Sequence, residues 1–377
     1  MKVVFVSNYF NHHQKPLSDC MNKMTEYTFM QTEEMEEDRK NLGWGEDRPC
    51  YLQENYSGSY KDMNPDVVIV GSAPEVMVQQ IIKTNRLVFR YSERPFKQKQ
   101  NPMKFFPRVI TWNRRNPMTK PLYMLCASAY TALDYSKFGL FRNRTYKWGY
   151  FPQHIVYDTD KLMAEKNTTE ILWCGRFLPL KHADDVILIA DKLKKSGYNF
   201  NLKFIGTGEM EQQLKSMVCQ LDLEDSVQFL GSMRPEQVRT HMEKAGIYLF
   251  TSDKQEGWGA VLNESMNSGC AVVASHLIGS VPFLLENNKN GLIYQSGNVE
   301  MLYEKVKFLL DNPGKQKEFG KAAYETIIKE WNAEVAAQRF VNLAQHILDG
   351  EKQPDLYKSG PCSKAEILKE DWLKEIN

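Results

Sequence analysis

The feature that most constrains the fold is an alternation of short apolar, β-branched runs with stretches of helical periodicity. Eight runs of this kind occur, at residues 3–7, 67–71, 87–91, 171–175, 202–206, 227–230, 247–252 and 271–274. Such alternation is typical of βαβ units, in which parallel strands are buried beneath helices on both faces of the sheet. The sequence therefore predicts an α/β protein with doubly wound, Rossmann-like sheets.

The length of the chain indicates more than one domain. A chain of 377 residues is too long for one compact core and suggests two domains of roughly 150 to 200 residues each. The aromatic, Gly- and Pro-containing stretch 147–153 separates an early set of runs from a late set, as a linker would. We expect an N-terminal Rossmann-like domain at 1–152, a C-terminal Rossmann-like domain at 153–340, and a helix with a polar extension at 341–377 that packs back on the first domain.

Two such domains would face each other across a cleft. Open α/β sheets bind ligands at the carboxyl ends of their strands, so we expect the active site in that cleft. The last recognisable helix should run over about 332–349, with Asn332 as its N-cap and Gly350 as its end. The acidic segment 33–38 is expected to be solvated and is assigned no chemistry.

Composition and charge exclude several classes of protein. No apolar run approaches the roughly 18 to 20 residues that a membrane-spanning helix requires. Residues 1–8 become polar too early for a signal-peptide core and read better as a first strand. The formal net charge of +1 gives no reason to expect a nucleic-acid partner. We therefore expect a cytoplasmic protein.

The strongest motif follows the run at 247–252. It has an acid at each end and two glycines within it, and it reads Glu256, Gly257, Trp258, Gly259, Ala260, Val261, Leu262, Asn263, Glu264. Glycines let backbone N–H groups approach an anion, and a helix start favours a phosphate in front of it. The two carboxylates would accept hydrogen bonds from hydroxyls. The alternative is an ordinary helix start with acidic capping residues.

A pair of cations follows the run at 171–175. Arg176 and Lys181 come directly after Gly175, before a helix expected from about 184 to 195. An Arg guanidinium is a planar fork for phosphate oxygens and a Lys ammonium is a compact charge, so together they could neutralise a diphosphate without a metal. The alternative is that both are solvated loop charges.

Two further glycines, Gly206 and Gly208, mark a strand-to-helix turn of the kind that nucleotide-binding domains use. Gly-x-Gly alone is a weak signal. The complete order is more specific: strand, Gly-Arg, helix, strand, Gly-Thr-Gly, helix, strand, Leu-Gly, helix, strand, Thr-Ser, and then two glutamates separated by seven residues. In that order and spacing, residues 170–340 resemble glycosyltransferase family 4, the retaining enzymes with the two-domain GT-B fold. Residues 125–134 look like the family's segment near the end of the first domain.

The resemblance implies a role for each matching residue. Arg176 and Lys181 would hold the diphosphate of a nucleotide-sugar donor, and Glu256 would bind hydroxyls of the transferred sugar. Glu264 would bind the nucleotide ribose. The backbone of 257–260 would meet the phosphate or the sugar.

The chain also departs from the family pattern in two loops. The family often carries two glycines and a Pro-Glu where this chain has 278–283, with Ser280 and Phe283, which puts local donor contacts in doubt. The family's first loop is usually rich in glycine, whereas 7–16 contains none. Acceptor chemistry would then be specialised.

That first loop supplies the acceptor-side candidates Asn11, His12 and His13. A histidine could orient a reacting hydroxyl, because its charge changes near pH 7, and His13 is the catalytic candidate. The alternative is hydrogen-bonded packing or simple exposure. Glu93 and Arg94, which follow another strand, are further candidates for contact with a sugar; the family often has a His near this point.

The stretch 90–120 contains nine basic residues and one acid, interleaved with aromatic residues. Such a stretch can contact an anionic membrane surface, and reversing the charges of Lys97, Lys99 and Lys104 would test this. An exposed basic face without lipid contact is the alternative. Asp158-Thr-Asp160 imitates a metal-binding Asp-x-Asp motif, but Asp residues in a linker turn need no metal.

The motifs predict a glycosyltransferase that needs neither metal nor cofactor, and the resemblance to glycosyltransferase family 4 implies that it retains the anomeric configuration. It would move a hexose or related sugar from a nucleotide-sugar, UDP being the expected carrier, to a glycan or lipid-linked acceptor in surface polysaccharide biosynthesis. The alternatives are another GT-B enzyme, such as an epimerase or phosphorylase, and a non-catalytic nucleotide-sugar-binding protein.

Overall fold

A computed structural model gives the structure of residues 1–35, 37, 48–54, 64–98, 103 and 105–375. Part of the acidic segment 33–38 lies outside these described residues. The chain forms two compact units, which we call unit 1 (Met1–Gln153 with Glu330–Lys369) and unit 2 (His154–Lys329 with Glu370–Asn377). The first division lies one residue from the expected boundary. The second differs from it, because the chain joins unit 1 from Glu330 and not after residue 340.

Unit 1 is built on a parallel sheet. Its strands are β1 (Lys2–Ser7), β2 (Glu26–Gln31), β3 (Leu52–Gln53), β4 (Val67–Val70), β5 (Leu87–Ser92), β6 (Leu122–Cys126) and β7 (Thr145–Lys147). Within the described residues their order is β3-β2-β1-β4-β5-β6-β7, and every pairing is parallel. The intervening helices are α1 (Lys15–Met24), α2 (Glu75–Ile82), α3 (Phe105–Arg115) and α4 (Thr131–Ser136). The strand order reverses between β1 and β4.

Unit 2 repeats this plan. Its strands are β8 (Asn167–Cys174), β9 (Asn201–Ile205), β10 (Val227–Phe229), β11 (Ala245–Phe250), β12 (Ala271–Ser275) and β13 (Leu292–Tyr294). Its helices are α5 (Thr159–Ala164), α6 (Ala183–Lys195), α7 (Glu211–Gln220), α8 (Pro235–Lys244), α9 (Val261–Asn267), α10 (Val281–Leu284), α11 (Val299–Asp311) and α12 (Pro313–Lys329). The strands are parallel in the order β10-β9-β8-β11-β12-β13, so the order reverses between β8 and β11.

Burial explains why the strands read as continuous apolar runs. Every residue of β4 and of β12 is buried. In unit 2 the main hydrophobic cluster joins side chains of β8, β9 and β11 to side chains of α6, α7 and α11. Parallel strands that are covered by helices on both faces have no solvent-facing side, and their sequences therefore do not alternate.

The last long helix, α13 (Ala333–Leu348), confirms the prediction for this segment. The Asn332 side chain caps it by accepting a hydrogen bond from the Val335 N–H at 2.9 Å, and Gly350 follows its end with a φ of +104°. The helix packs on α1, and the Phe340 ring lies 5.0 Å from that of Phe89 in β5. These contacts explain why the chain returns to unit 1 before residue 340.

The residues after α13 are tied to the β7 edge of unit 1. The Thr145 hydroxyl donates to the Ala365 carbonyl at 2.8 Å, and the Cys362 N–H donates to the Lys147 carbonyl at 2.8 Å. The final 3₁₀ turn, Trp372–Glu375, belongs to unit 2. Across the described part of the chain, no helix combines the length and the apolar character that crossing a bilayer demands.

Candidate functional site

The candidate donor residues of unit 2 lie on loops that leave the sheet where its strand order reverses. β8 and β11 are neighbours, so the loops after them start side by side at one edge of the sheet. The first loop carries Gly175, Arg176 and Lys181, and the second leads to Glu256. A reversal of strand order opens a crevice at the carboxyl ends of such strands, which is where open α/β sheets bind ligands.

Lys181 and Glu256 form the centre of this group. The Lys181 Nζ pairs with Glu256 Oε2, and the Ser252 hydroxyl donates to the same oxygen at 3.0 Å. The two side chains are 16% and 15% exposed, so the pair is partly shielded from water. The structure thus brings together two residues that the sequence separates by 75 positions.

Backbone and side-chain hydrogen bonds hold the two loops against each other. The Thr251 hydroxyl donates to the Lys181 carbonyl at 2.6 Å and accepts from the Trp173 indole N–H at 3.0 Å. The Asp253 N–H donates to the Leu180 carbonyl at 2.9 Å. Since these partners belong to the ends of β8 and β11, the position of the Lys181–Glu256 pair is fixed by the sheet.

Arg176 differs from Lys181 in having no internal partner. Its side chain is exposed, and it forms no hydrogen bond or ion pair with any residue in the described part of the chain. An unpaired guanidinium at this edge offers a planar set of donors for phosphate or carboxylate oxygens.

The glycines after β9 allow the neighbouring loops to pack closely. Gly206 has a φ of +135°, and a Cβ there would lie 1.9 Å from the Gly175 carbonyl oxygen. At Gly208 a Cβ would lie 2.6 Å from the Phe177 carbonyl oxygen. The Phe177 N–H also donates to the Thr207 carbonyl at 2.9 Å. Gly206 and Gly208 therefore support the Arg176 loop from behind through backbone packing.

Glu264 lies on α9 beside the end of β8. Its carboxyl group is half-buried, and burial raises its pKa to about 7, although the charge of Arg239 acts in the opposite direction. Burial and then the neighbouring Glu264 carboxylate raise the pKa of the Cys174 thiol to about 12, which places Glu264 next to the last residue of β8. Glu264 is thus close to the Gly175 loop.

The segment 257–260 contains one core side chain. Trp258 is fully buried, and its indole N–H donates to Asn263 at 2.9 Å, so its side chain belongs to the core, and the expected contact of the donor with the backbone of this segment stays a prediction. Gly259 has a φ of +78°, and a Cβ there would lie 2.2 Å from the Phe250 ring. Gly257 and Ala260 remain as backbone candidates next to Glu256.

Ser280, one of the positions that departs from the family pattern, supports this same segment. Its hydroxyl donates to the Trp258 carbonyl at 2.6 Å, and the Gly279 N–H donates to the Glu256 carbonyl at 3.4 Å. The Phe283 ring lies 6.3 Å from that of Trp258. The unusual residues at 278–283 therefore hold the Glu256 loop in place.

Unit 1 contains a cavity of about 490 Å³ at the carboxyl ends of β1, β4 and β5. This is the point at which its own strand order reverses. The polar side chains that line the cavity include Ser7, Asn8, Asn11, His13, Ser72, Arg90, Glu93 and Tyr150. Three of the predicted acceptor-side residues, Asn11, His13 and Glu93, thus meet in one place.

Some of the polar groups of this cavity are paired. Glu93 accepts a hydrogen bond from the Tyr150 hydroxyl at 2.7 Å and pairs with Lys97 at 2.6 Å. The Asn11 side chain accepts from the His13 N–H at 2.9 Å. Burial, and then the charge of His12, lowers the pKa of His13 to about 3, so His13 is a neutral imidazole near pH 7.

Two acceptor-side candidates do not line the cavity. Arg94 is buried, with its guanidinium 3.3 Å from Asp134 Oδ2 and stacked 5.0 Å from the Tyr130 ring centre. It is a structural ion pair, and the prediction that it contacts a sugar is corrected. The His12 ring packs 3.9 Å from that of His13 and is not among the lining residues.

Sequence reasoning missed Arg90 and Tyr150 as cavity residues. Arg90 interrupts the apolar run of β5, and that interruption was the available signal. Tyr150 stands in the stretch 147–153, where Gly and Pro favoured a linker. No residue-level pattern pointed to its hydrogen bond with Glu93, because that contact depends on the fold.

Two groups bear on metal binding. Asp158 caps α5 by accepting from the N–H groups of Asp160 and Lys161 at 3.1 and 3.2 Å, so its carboxylate has a structural role at the start of this helix. Among the described residues, His182, Asp184 and Asp185 lie close enough to share one. A hydrogen bond to Asp253 is the main cause that raises the pKa of His182, so this imidazole already has a charge partner.

Comparison with known proteins identifies the fold first. HepE from Anabaena in complex with UDP aligns with a TM-score of 0.69 over 92% of this chain and 100% of that chain, at 14% sequence identity. This likeness and the two parallel sheets confirm the predicted fold of two Rossmann-like domains of the GT-B type.

Sequence comparison then points to a family. Residues 158–326 match the family model for glycosyl transferases group 1, a segment that contains Arg176, Lys181, Glu256 and Glu264. An uncharacterized glycosyltransferase from Haemophilus influenzae is 31% identical over 180 residues, 46% of this chain and 50% of that protein. A GDP-mannose-dependent monoacylated alpha-(1-6)-phosphatidylinositol monomannoside mannosyltransferase from Corynebacterium glutamicum is 25% identical over 194 residues, 50% of each chain. The chain spans about half the length of these curated relatives.

Proposed function

We propose that the protein is a glycosyltransferase whose unit 2 binds a nucleotide-sugar donor. The observation that carries the proposal is the grouping of Lys181, Glu256 and the unpaired Arg176 where β8 and β11 end side by side. That edge lies within the segment that matches the group 1 family model. A charged, glycine-lined edge at a reversal of strand order suits a ligand that is both anionic and rich in hydroxyls.

Each residue of this group has a proposed role. Arg176 and Lys181 bind the diphosphate, Glu256 accepts hydrogen bonds from the transferred sugar, and Glu264 accepts them from the ribose. A Lys ammonium has three N–H donors, so its pairing with Glu256 leaves donors for a phosphate oxygen. Negative charge grows on the diphosphate as it departs, and cations fixed in advance stabilise that charge most in the transition state.

We propose further that the transfer is metal-independent, uses no cofactor and retains the anomeric configuration. Two cations at one sheet edge supply the charge that a metal would otherwise bring to a diphosphate. Retention rests on the resemblance to glycosyltransferase family 4 and on no contact within this chain.

A UDP-hexose is the donor that we propose, because HepE shares the fold and was crystallised with UDP. A GDP-sugar is the alternative, because the relative from Corynebacterium glutamicum is named for GDP-mannose. That relative is also named for a phosphatidylinositol mannoside, which supports a lipid-linked acceptor as well as a glycan. Synthesis of a surface polysaccharide is the setting that we propose.

The cavity of unit 1 is the proposed acceptor site. Asn11, Glu93 and the neutral His13 offer hydrogen-bond donors and acceptors without a large excess of charge, which suits the hydroxyl groups of a glycan. His13 is the group that we propose to orient the reacting hydroxyl. Its lowered pKa keeps the imidazole neutral, so that one ring nitrogen can accept a hydrogen bond from the acceptor hydroxyl.

Thermal stabilisation by ligands tests the donor site directly. Wild type, Arg176→Ala, Glu264→Ala and the control Lys317→Ala would be melted with UDP, GDP, ADP and their common sugars, with a chelator present throughout. Lys317 is an exposed cation of α12 outside the candidate site. We expect one nucleotide to raise the melting temperature of wild type and Lys317→Ala in proportion to the logarithm of its concentration, and to have little effect on the other two variants.

The outcomes separate the competing functions. A shift from no nucleotide would contradict the donor site and leave an interaction protein as the better hypothesis. A nucleotide shift without release of nucleoside diphosphate from any sugar donor would favour a non-catalytic binding protein. Activity that depends on inorganic phosphate would indicate a phosphorylase. Inversion at a carbon of the donor sugar, without transfer of that sugar to an acceptor, would indicate an epimerase.

A further inference from the structure

An unusual apolar surface occurs on unit 1, formed by residues that do not line the cavity. Among the described residues, the large apolar side chains that remain exposed are Met24, Val76, Met103, Phe105, Phe106, Ile110, Val156, Leu188, Phe308, Leu348 and Ile367. Four of these fall within the eight positions 103–110, while the rest are scattered. Single exposed apolar residues are ordinary, but a cluster marks an interaction surface.

The geometry of α3 explains why these side chains point outward. On its inner side Trp112 packs 4.9 Å from the Phe138 ring and 5.4 Å from the Phe96 ring, and Phe105 lies 5.7 Å from Phe138. Residues four positions apart share a helix face, so Phe106 and Ile110 lie together on another side, where they are 78% and 55% exposed. The helix is therefore anchored by one aromatic side and presents a second apolar side to solvent.

The charged residues of the sequence segment 103–120 are all basic. They are Lys104, Arg108, Arg114, Arg115 and Lys120. Arg114 follows Ile110 by four positions on the same face and has no hydrogen-bond or ion-pair partner among the described residues. Arg115 forms an ion pair with Glu75 of α2, with 3.7 Å between Nε and Oε1. An apolar stripe that continues into the exposed Arg114 complements an anionic lipid surface, in which the apolar side chains enter the acyl boundary and the cation meets headgroups.

We propose that α3, with the neighbouring Met103, docks unit 1 on an anionic bilayer. The occupant is the lipid surface itself, because exposed apolar side chains on a segment whose charged residues are all basic complement anionic headgroups above an acyl layer. The sequence alone points to Lys97, Lys99 and Lys104 for such a contact. In the structure Lys97 pairs with Glu93 at 2.6 Å, whereas Lys99 and Lys104 lie outside the described residues, so the proposal rests on α3 instead. Membrane docking does not depend on the proposed function.

Flotation with vesicles tests the proposal on the full chain. The vesicles would contain phosphatidylcholine alone or phosphatidylcholine with phosphatidylglycerol. The variants would be Phe106→Ser with Ile110→Ser, Arg114→Glu, and the controls Ile367→Ser and Lys317→Glu. Ile367 is 60% exposed, close to the 55% of Ile110, and lies outside α3. Since all these side chains are at the surface, melting temperatures should stay near that of wild type, which separates lost docking from misfolding.

We expect wild type to bind the anionic vesicles more tightly than the neutral ones. The double substitution should weaken binding to anionic vesicles about tenfold or more, since it removes two large apolar groups from the lipid contact. Arg114→Glu should weaken that binding roughly tenfold and leave the weak binding to neutral vesicles unchanged. The two controls should bind as wild type does.

Three results would overturn the proposal. One is an absence of vesicle binding by wild type, and another is equal binding by wild type and the double variant. The third is that wild type sediments as a dimer, that the double variant sediments as a monomer, and that neither protein binds vesicles. The apolar face would then be an interface with a second copy of the chain. None of these results depends on nucleotide binding, so they leave the proposed function untouched.

Discussion

In unit 1 the acidic side chain that lines the cavity is paired with its neighbours, whereas in unit 2 the corresponding edge leaves a cation unpaired. Glu93 is held by Tyr150 and Lys97, and His13 is neutral. Across the β8–β11 edge, Lys181 and Glu256 are paired but Arg176 has no partner among the described residues. Both sites lie where a strand order reverses, so topology sets the position of each site and loop sequence sets its chemistry.

The contrast suits two different kinds of ligand. A diphosphate needs positive charge that the protein has not already neutralised, and an exposed guanidinium on a fixed loop supplies it. A neutral polyol needs several matched donors and acceptors, and a network of paired groups offers these without strong charge. The comparison would fail if Arg94 of unit 1, which we treat as structural, proved to bind ligand. It would also fail if Arg176 of unit 2, which we treat as ligand-binding, proved to be structural.

The largest effect is expected from the buried ion pair of Arg94 with Asp134 in unit 1. Arg94→Ala leaves the buried Asp134 with only Lys137 and the Phe96 N–H as partners, and should lower the free energy of unfolding by about 3 to 5 kcal/mol. Lys315→Ala, which breaks an exposed pair with Glu318, should change it by less than about 1 kcal/mol. Urea unfolding measures both. A stable Arg94→Ala variant that had lost acceptor binding would return Arg94 to the ligand site.

The unpaired cation of unit 2 should show the reverse behaviour. Arg176→Ala removes no internal contact, so its melting temperature should match that of wild type. Release of nucleoside diphosphate should fall about 10²- to 10³-fold, the loss expected when one group that stabilises developing negative charge is removed. Lys317→Ala should leave the rate unchanged. A wild-type rate in Arg176→Ala would remove this residue from the site.

Most of the fold could be predicted because burial on both faces makes parallel strands conspicuous in a sequence. All eight predicted runs correspond to strands. The strands that the sequence did not reveal are β2, β3, β6, β7 and β13. β3, β7 and β13 have two or three residues each, too few to show a period, and Glu26–Gln31 mixes polar residues into its pattern.

The candidate site was less predictable, because a sequence does not show which way a side chain turns. Arg176 and Arg94 both follow a predicted strand, yet Arg176 is exposed and Arg94 is buried against Asp134, forty positions away. Trp258 likewise turns into the core and bonds Asn263. Charge type and position could be inferred from the motifs, whereas the pairing of Lys181 with Glu256 required the neighbouring strands β8 and β11 to be known.

The glycines of unit 2 provide a sharper test of loop packing. Gly206→Ala should lower the free energy of unfolding by about 2 to 4 kcal/mol, because the new Cβ is strained and also meets the Gly175 carbonyl oxygen. Gly197 also has a positive φ, of +79°, but nothing lies within 4 Å of the added Cβ. Gly197→Ala should therefore cost only about 1 kcal/mol, from the backbone alone. Equal losses in the two variants would mean that the close approach to Gly175 is not needed.

The smallest effect concerns the protonation of Glu264. Folding raises the pKa of this carboxyl from 4.5 to about 7, so the folded protein holds a proton that the unfolded chain releases. The stability that this proton contributes is present at low pH and is lost as the pH rises between 4.5 and about 7. Glu264→Gln, which stays neutral, should remove that part of the pH dependence, a difference of about 1 kcal/mol after screening at a half-buried site.

Folding raises the pKa of the Glu264 carboxyl, and ligand binding should lower it. A ribose that donates hydrogen bonds favours the charged form, so the nucleotide should bind more tightly as the pH rises through about 7, and binding should release a proton. Melting curves of wild type and Glu264→Gln from pH 5 to pH 8, with and without the nucleotide, measure both effects. If the two proteins followed the same pH profile in the free state, the Glu264 carboxyl would be ionised throughout and its burial would carry no coupling to the donor. If they differed only in the free state, Glu264 would be a buried acid of the core, and the ribose contact would have to be made elsewhere along the edge of unit 2.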